Sequence, residues 1–461
     1  MTHGWTLDDE GLRQRTARAV ADEQLRANVG RAVDRFAGHR SKALAELDDP
    51  DGLRSAARAV RGAILADLPA IAERFAAAVV AAGGHVHWAN DADDAARHVL
   101  EVCRANGATL VAKSKSMATE EIGLNAVLEG AGIDVVETDL GEWIIQLAHQ
   151  TPSHIIAPAV HHDRHSIADL FAAHGRTESS TEPADLNRYA RGVLRDAFLR
   201  ADVGVSGGNL GVAATGSIVL VSNEGNARMV TSLPRVHVAV VGIERLTADW
   251  DQADLLVNLL IRSATGQRLS SYVSVITGPG NGGPEELHVV LLDAGRSAIL
   301  GTEEHEMLAC IRCGACLNVC PVYRQVGGHA YGWVYPGPMG AVLTPLLAAD
   351  HGNAAEVAKA STLCGACMDA CPVEIPLQDL LLSLRRKRAA SVAPATERAA
   401  WRAWAAAWSR PAGYRASTRA AGWLGLLGRH AERLPGAGRW ADGRTLPAVA
   451  TRRFRDRWEG S

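Results

Sequence analysis

Seven cysteines with regular spacing lie in one short stretch of this chain. They are Cys310, Cys313, Cys316 and Cys320, followed after a 43-residue insert by Cys364, Cys367 and Cys371. A proline follows the last cysteine of each set. Cysteines at every third residue before a Cys-Pro pair are typical of segments that wrap thiolates around iron–sulfur clusters. The spacing therefore predicts a two-cluster, metal-binding segment that transfers electrons.

The two sets form an internal repeat. A shift of 51 residues places the last three cysteines of the first set on the three cysteines of the second, and Gly314-Ala315 on Gly365-Ala366. The same shift places Cys310 on Ser361. The second set therefore lacks the residue that would complete it.

The spacing also predicts how the ligands are shared, because the cysteine before proline ligates the other cluster in segments of this kind. One [4Fe–4S] cluster is then held by Cys310, Cys313, Cys316 and Cys371, and the second cluster by Cys320, Cys364 and Cys367. The second is a [3Fe–4S] cluster, or a [4Fe–4S] cluster whose fourth iron takes Ser361, water or a substrate. Zinc is the alternative occupant, but it favours four ligands in two paired loops.

The remaining composition is that of an ordinary globular chain. Hydrophobic residues make up 47% and charged residues 21% of the 461 positions. No apolar run reaches the length of a transmembrane segment, and no secretory signal is visible at the start. We therefore expect a cytoplasmic protein, in which clustered cysteines bind metal rather than form disulfides. Cys103 stands alone and is expected to be a buried hydrophobic residue.

Strands that alternate with helices indicate an α/β domain with a largely parallel sheet. A helical region precedes it, and a helical segment with the cysteines follows it. The predicted strands are 85–88, 109–112, 134–137, 155–158, 217–221, 236–241, 273–277 and 287–292, with helices at 92–104, 120–130 and 354–361. We divide the chain into a helical N-terminal region (1–60), an α/β domain (61–302), a two-cluster module (303–388) and a basic helical tail (389–461).

Charge is distributed unevenly along the chain. Residues 385–461 contain 17 Lys and Arg against 5 Asp and Glu, whereas the net charge of the whole chain is −3. A basic tail suits nucleic acid, a membrane surface or an acidic partner, or it folds against its own body. Since no nucleic-acid-reading motif is present, we expect no nucleic acid partner. Trp401, Trp404 and Trp408 share one helix face in this tail and are predicted to pack on the cluster segment or on a partner.

Four stretches give the chain a family resemblance. Residues 310–324 around the first cysteines and 331–338 (YGWVYPGP) resemble the lactate utilization protein B family, as do 113–117 (KSKSM) and 222–226 (SNEGN) in the α/β region. The resemblance implies a LUD-type domain with a NagB/RpiA/CoA-transferase-like fold, followed by an all-helical ferredoxin-like module. It also implies a component of an L-lactate dehydrogenase complex that works with companion subunits.

Three further groups of residues are candidates for ligand binding. Lys113 and Lys115 follow a predicted strand, at the edge where open sheets bind anions such as a carboxylate or a phosphate. The glycine-rich stretch 204–211 either cradles a ligand or forms a tight turn. Five histidines could bind metal, namely His149, His154, His161, His162 and His165. Ala214 occupies a position where the family pattern has glutamate, which argues against acid–base chemistry in this domain.

These observations predict an iron–sulfur electron-transfer subunit of a system that oxidises L-lactate to pyruvate. No flavin or nicotinamide fingerprint is visible, so the catalytic residues for lactate remain unknown and the hydride-level step is expected elsewhere in the complex. In the alternative, the α/β domain is itself a redox enzyme on a small hydroxy acid or related anion, with the clusters as its internal wire.

Overall fold

The computed structural model describes residues 10–280, 282–348, 353–391, 394–424 and 454–458. The chain divides into two compact units, Met1–Arg385 and Arg386–Ser461. Within the described ranges, no helix combines the length and apolarity needed to cross a membrane. Parts of the predicted basic tail (392–393, 425–453 and 459–461) lie outside the described residues.

Four helices open the first unit. They are α1 (Leu12–Ala21), α2 (Glu23–Ala45), α3 (Pro50–Ala66) and α4 (Leu68–Ala81). Asp22 and Asp49 cap α2 and α3 by accepting hydrogen bonds from the backbone N–H groups of the first turn, which are otherwise unpaired. Phe75 on α4 is fully buried. These helices supply part of the core rather than a separate domain.

Ten strands form two sheets. The strands are β1 (His85–Ala89), β2 (Leu110–Lys113), β3 (Asp134–Glu137), β4 (Val203–Gly207), β5 (Leu210–Val212), β6 (Ser217–Ser222), β7 (Val236–Gly242), β8 (Leu246–Thr247), β9 (Tyr272–Ile276) and β10 (Glu286–Leu292). Six of them pair in parallel in the order β1-β10-β7-β4-β2-β3. The other four pair in the order β8-β5-β6-β9. The predicted α/β domain with a parallel sheet is therefore confirmed.

The central strands of the parallel sheet are continuous apolar runs, as expected of strands covered on both faces. Every residue of β7 is buried. Helices connect the strands and cover the sheet: α5 (Ala92–Ala105), α6 (Met117–Glu121), α7 (Leu124–Gly130), α8 (Leu140–Leu147), α9 (Arg164–Ala173), α10 (Pro183–Arg200), α11 (Asn226–Ser232), α12 (Trp250–Ala264) and α13 (Arg296–Leu300). Loops at the carboxyl ends of β2, β4 and β7 thus meet at one edge.

The cysteine segment is helical and has no strand among its described residues. Its helices are α14 (Ala315–Asn318), α15 (Pro321–Val326), α16 (Gly337–Leu347), α17 (Ala366–Asp369) and α18 (Leu377–Ser391). The sequence repeat is also a repeat of backbone conformation. Arg312 and Leu363 have left-handed φ angles of 58° and 56°, and Gly314 and Gly365 follow with 76° and 87°. Each loop thereby turns sharply around the cysteine between them.

Four predicted elements differ from the observed ones. Residues 155–158 form a loop and not a strand, because Nδ1 of His154 accepts the N–H groups of Ile156 and Ala157 that a sheet would otherwise use. The helix predicted at 120–130 is interrupted at Gly123, whose φ is 61°. Strands β4 and β5 occupy most of the glycine-rich stretch. Residues Ala354–Lys359 form a 3₁₀ helix instead of an α-helix.

The second unit is helical where it is described. It contains the end of α18 and the helices α19 (Ala395–Trp408), α20 (Pro411–Leu424) and α21 (Phe454–Trp458). The three tryptophans of α19 contact one another in sequence, edge to face and then tilted, with ring centroids 5.8 and 5.2 Å apart, and Trp408 contacts Tyr414 of α20 at 5.2 Å. This aromatic row therefore joins the two helices of the unit.

Candidate metal centre

The seven cysteines gather around two separate cavities. One cavity is lined by Cys310, Cys313, Cys316 and Cys371, and is called the first site below. The other is lined by Cys320, Cys364 and Cys367, and is called the second site. Cys371 lies close enough to Cys310 and Cys316 for their charges to interact, and Cys320 lies similarly close to Cys364. The last cysteine of each motif thus faces the partners that the spacing predicts.

The chemistry of both sites fits iron–sulfur clusters. All seven thiols are free of disulfide bonds. A backbone N–H lies 3.4 Å from the sulfur of Cys310, Cys320 and Cys371, donated by Arg312, Tyr323 and Ile375 respectively. Hydrogen bonds of this kind stabilise the negative charge of cluster thiolates. Among the described residues, no three His, Cys, Asp or Glu side chains converge closely enough for a single metal ion.

The two sites differ in exposure. At the first site, burial raises the pKa of Cys313 to about 12 and that of Cys371 to about 11, so both thiols keep their protons until a metal displaces them. At the second site, Cys364 is exposed, and the N–H of Ala366 lowers its pKa. Ser361 also lines the second site, and its Oγ accepts the N–H of Leu363 at 3.1 Å.

Buried arginines surround the backbone of the first site. Arg245 donates to the carbonyls of Cys310 (2.8 Å) and Ile311 (3.3 Å). Arg61 on α3 is completely buried and donates to the carbonyls of Leu308 (2.8 Å) and Ala309 (3.1 Å). The positive charges therefore lie directly beside a loop that would carry negatively charged thiolates.

The N-terminal helices add two more guanidinium groups on the opposite side. Arg40 of α2 donates to the carbonyl of Ala370 at 2.8 Å. Arg54 of α3 donates twice to the carbonyl of Cys371, at 3.2 and 3.1 Å. At the second site, by comparison, Arg385 donates to the carbonyl of Ser361 at 2.8 Å. We call Arg40, Arg54, Arg61 and Arg245 the arginine shell of the first site.

A cavity of about 380 Å³ opens at the carboxyl edge of the parallel sheet. Its walls include residues 114–118 after β2, 207–209 after β4, and Glu244 and Arg245 after β7. Arg312, between two cysteines of the first site, closes the same cavity. The cavity is therefore adjacent to the first site and lies where ligands bind in open α/β sheets.

An ion-pair network lies beneath this cavity. Arg296 donates to both carboxylate oxygens of Glu121 (2.8 and 2.9 Å) and to Glu244 (2.6 Å). Glu244 also accepts from Arg312 at 3.2 Å, and the Arg312 guanidinium lies 4.8 Å from the ring centre of Tyr335. Arg296 and Glu244 are each about 2% exposed. The network joins the α/β domain to the first cysteine loop.

The two candidate lysines have different surroundings. Lys113 is fully buried and is held by Thr119 (3.0 Å), Glu120 (2.8 Å) and Glu137 (2.7 Å), so it is not available to a ligand. Lys115 lines the cavity, and its Nζ has no hydrogen-bond partner. Its nearest carboxylate is Glu142, at 3.9 Å. Of the two predicted lysines, only Lys115 therefore remains a candidate for ligand binding.

Glu142 should make stability depend on pH. It is 2% exposed, and burial raises its pKa well above the usual value near 4.5. A carboxyl with a raised folded-state pKa stabilises the fold below about pH 4.5, and this stabilisation is lost as pH rises toward the folded-state pKa. We expect Glu142→Gln to make the decline of stability above about pH 4.5 shallower, by up to about 1.4 kcal/mol per pH unit.

This expectation can be checked by measuring the thermal unfolding midpoint of the anaerobic protein at several pH values. Glu129→Gln is a suitable control, because Glu129 is an exposed glutamate on α7. If the unfolding midpoint depended on pH in the same way in the wild type and in Glu142→Gln, the raised pKa of Glu142 would be contradicted.

The other candidates of the sequence are not brought together as a site. His154 bonds to Asn318 (3.1 Å), and His161 and His162 both bond to Gln150 (2.7 and 2.8 Å). Because α9 begins at Arg164, His161 and His165 do not share a helix face. His149 and His165 belong to no described metal group. Cys103 is buried in the core beneath the sheet, as predicted, and Ala214 is in an exposed turn outside the cavity lining.

The arginines beside the first site and the cavity were not predicted from the sequence. Arg245, Arg296 and Arg61 carry no motif, and only their positions in space connect them to the cysteines. Arg312 offered a signal, since it stands between two predicted ligands.

Comparison with known proteins gives three family matches along the chain. Residues 72–292 match the LUD domain, residues 306–375 match the 4Fe-4S dicluster domain, and residues 385–460 match the C-terminal region of lactate utilisation protein B. The three matches follow the order of the α/β domain, the cysteine segment and the tail.

Whole-chain relatives are also found. The lactate utilization protein B of Shouchella clausii is 45% identical, and the alignment covers 98% of this chain and 97% of that protein. The lactate utilization protein B of an Exiguobacterium species is 44% identical over 97% of each chain. A crystal structure of a DUF162 family protein from Deinococcus radiodurans is 13% identical, with a TM-score of 0.29 over 49% of this chain and 97% of that one.

Proposed function

Because this chain belongs to the lactate utilization protein B family, we propose that it is the iron–sulfur electron-transfer subunit of a system that oxidises L-lactate to pyruvate. The observation that carries the proposal is the grouping of seven cysteines around two cavities. The match to a 4Fe-4S dicluster domain supports the same chemistry. The role of this chain in lactate utilization follows from its membership of the family.

Four cysteines would hold a [4Fe–4S] cluster at the first site, and three would hold a [4Fe–4S] or [3Fe–4S] cluster at the second. Clusters bound there accept and release single electrons. The chain's own residues set the conditions for that chemistry. Burial excludes water from the first site, and the arginine shell offsets its negative charge. The ligand that the second set lacks would come from Ser361, which lines the second site, or from water or a substrate.

We propose that residues 61–302 form a NagB/RpiA/CoA-transferase-like domain between a helical region (1–60) and the two-cluster module (303–388), with the basic tail at 389–461. The parallel sheet and the positions of the LUD and dicluster matches support this division. Oxidation of lactate to pyruvate releases two electrons and two protons. Companion subunits would carry out that step and pass the electrons to this chain one at a time.

The proposal predicts the metal content of the full chain after anaerobic reconstitution. We expect about seven or eight irons per chain, with matching sulfide, and an EPR signal on reduction. Fewer than about six irons would contradict the two-cluster assignment.

The subunit role has a separate test. L-lactate alone should leave the visible absorption of the oxidised chain unchanged, and lactate should reduce the clusters once the companion subunits are added. Lactate turnover by the purified chain alone would instead establish the alternative, in which the α/β domain is the enzyme.

A further inference from the structure

Each of two cationic side chains that line the 380 Å³ cavity has a nitrogen atom without a hydrogen-bond partner. Lys115 Nζ and Arg312 NH1 are both inaccessible to solvent, and neither meets an acceptor within the protein. The whole side chains are only 16% and 12% exposed. A buried cation without an acceptor is costly, so such groups are normally paired. Two of them on one cavity indicate an anion that is bound in the functional state.

Both cationic and acidic side chains line the cavity. The cationic residues of the wall are Lys115, Arg245, Arg296 and Arg312, and the acidic ones are Asp139, Glu224 and Glu244. Glu244 is paired with both Arg296 and Arg312. Glu142, the nearest carboxyl to Lys115, lies 3.9 Å away and makes no hydrogen bond through Oε1. Lys115 Nζ and the NH1 nitrogen of Arg312 nevertheless remain without a hydrogen-bond acceptor.

The rest of the wall favours an organic molecule over an inorganic ion. Apolar side chains of Phe36, Ile156 and Leu220 lie around the cavity together with the hydroxyl groups of Ser114 and Ser116. Ligand sites for small organic molecules have this mixture, and their volumes begin at about 300 Å³. A single inorganic ion would leave most of the apolar wall uncovered.

We propose that this cavity binds a small organic carboxylate, whose anionic group is contacted by Lys115 and Arg312. Arg312 then links the ligand to the first cysteine loop, of which it is part. The inference deepens the proposed function and rests on it for the choice of ligands, which are L-lactate and pyruvate. Both carry one carboxylate beside a hydroxyl or carbonyl oxygen that the two serines can bind.

The test is isothermal titration calorimetry of the anaerobically reconstituted full chain with L-lactate, with pyruvate and with inorganic phosphate. We expect one site per chain for lactate or pyruvate, and binding at least tenfold weaker in Lys115→Met. Lys42→Met is the matched control, because Lys42 is an exposed lysine on α2 away from the cavity, and its affinity should equal the wild-type value. Arg312→Lys, checked for unchanged iron content, should weaken binding by a similar factor.

Three results would overturn the proposal: no binding of either acid at 10 mM, wild-type affinity in both cavity variants, or phosphate binding as tightly as the carboxylates and competing with them. The calorimetric readout does not depend on electron transfer. Failure of binding in a chain with full iron content would therefore refute the site alone, and low iron content in a chain that binds the acids would refute the two-cluster function alone.

Discussion

Replacement of Cys371 by alanine is expected to remove the cluster of the first site, although Cys371 stands in the second motif. Its thiol lines the cavity of Cys310, Cys313 and Cys316 and not that of Cys364 and Cys367. A cubane that loses one of four protein ligands is released or loses iron, so we expect about four irons fewer per chain. The EPR spectrum of the reduced Cys371→Ala protein should match that of Cys310→Ala.

Variants of Cys320 and Cys364 test at the second site whether the last cysteine of one motif binds the cluster of the other motif. Cys320→Ala should resemble Cys364→Ala, although Cys320 stands in the first motif, and should leave the signal of the first site intact. Cys103→Ala is the control, because Cys103 lies in the core beneath the sheet, and it should retain all iron. If Cys371→Ala instead resembled Cys364→Ala, each motif would hold its own cluster and the crossed assignment would be wrong.

Replacement of Arg296 by methionine is expected to destabilise the protein by about 3–5 kcal/mol. The variant leaves the buried carboxylates of Glu121 and Glu244 without the guanidinium that binds both. The pKa of Arg296 lies well above its ordinary value because these two carboxylates favour the charged form against the effect of burial. The loss should appear as a lower thermal unfolding midpoint in the anaerobic, cluster-containing protein.

A second substitution separates this charge effect from a loss of packing. Adding Glu121→Gln to Arg296→Met removes one of the stranded charges and should restore part of the lost stability. Arg235→Met is the matched control: Arg235 is half exposed beside Glu285 and Glu286, and exposed ion pairs contribute about 1 kcal/mol or less. Equal losses of stability in Arg235→Met and Arg296→Met would show that the buried network contributes no more to stability than an exposed ion pair does.

The grouping of the cysteines could be predicted from the sequence because it depends on local spacing. Three ligands lie within seven residues, and the 51-residue repeat reproduces both the spacing and the left-handed residue before Cys313 and before Cys364. The parallel sheet could be predicted for a similar reason, since its strands are short, mostly apolar runs that alternate with helical segments. Both signals are contained in short segments, where pattern and structure coincide.

The rest depends on contacts between distant segments. Arg61 and Arg245 are separated by more than 180 residues, and no periodicity shows that both bind the carbonyls of one loop. Residues 155–158 read as a strand because they are apolar, but one histidine side chain takes up their N–H groups. Lys113 and Lys115 look equivalent in sequence, but Lys113 ends β2 and is buried against Glu120 and Glu137, whereas Lys115 lies in the loop after the strand and lines the cavity.

The arginine shell has a consequence for the cysteine motif as a piece of protein. A fragment that begins at residue 303 would keep all seven cysteines and lose Arg40, Arg54, Arg61 and Arg245, which together hold the carbonyls on both sides of the first site. The cysteine motif can be transferred as a short segment, whereas the arginine shell cannot be transferred with it. Such a fragment would have the same cysteine ligands, but water would take the place of the arginine shell around them. Helices at the far end of the sequence are as much a part of the centre as the thiols.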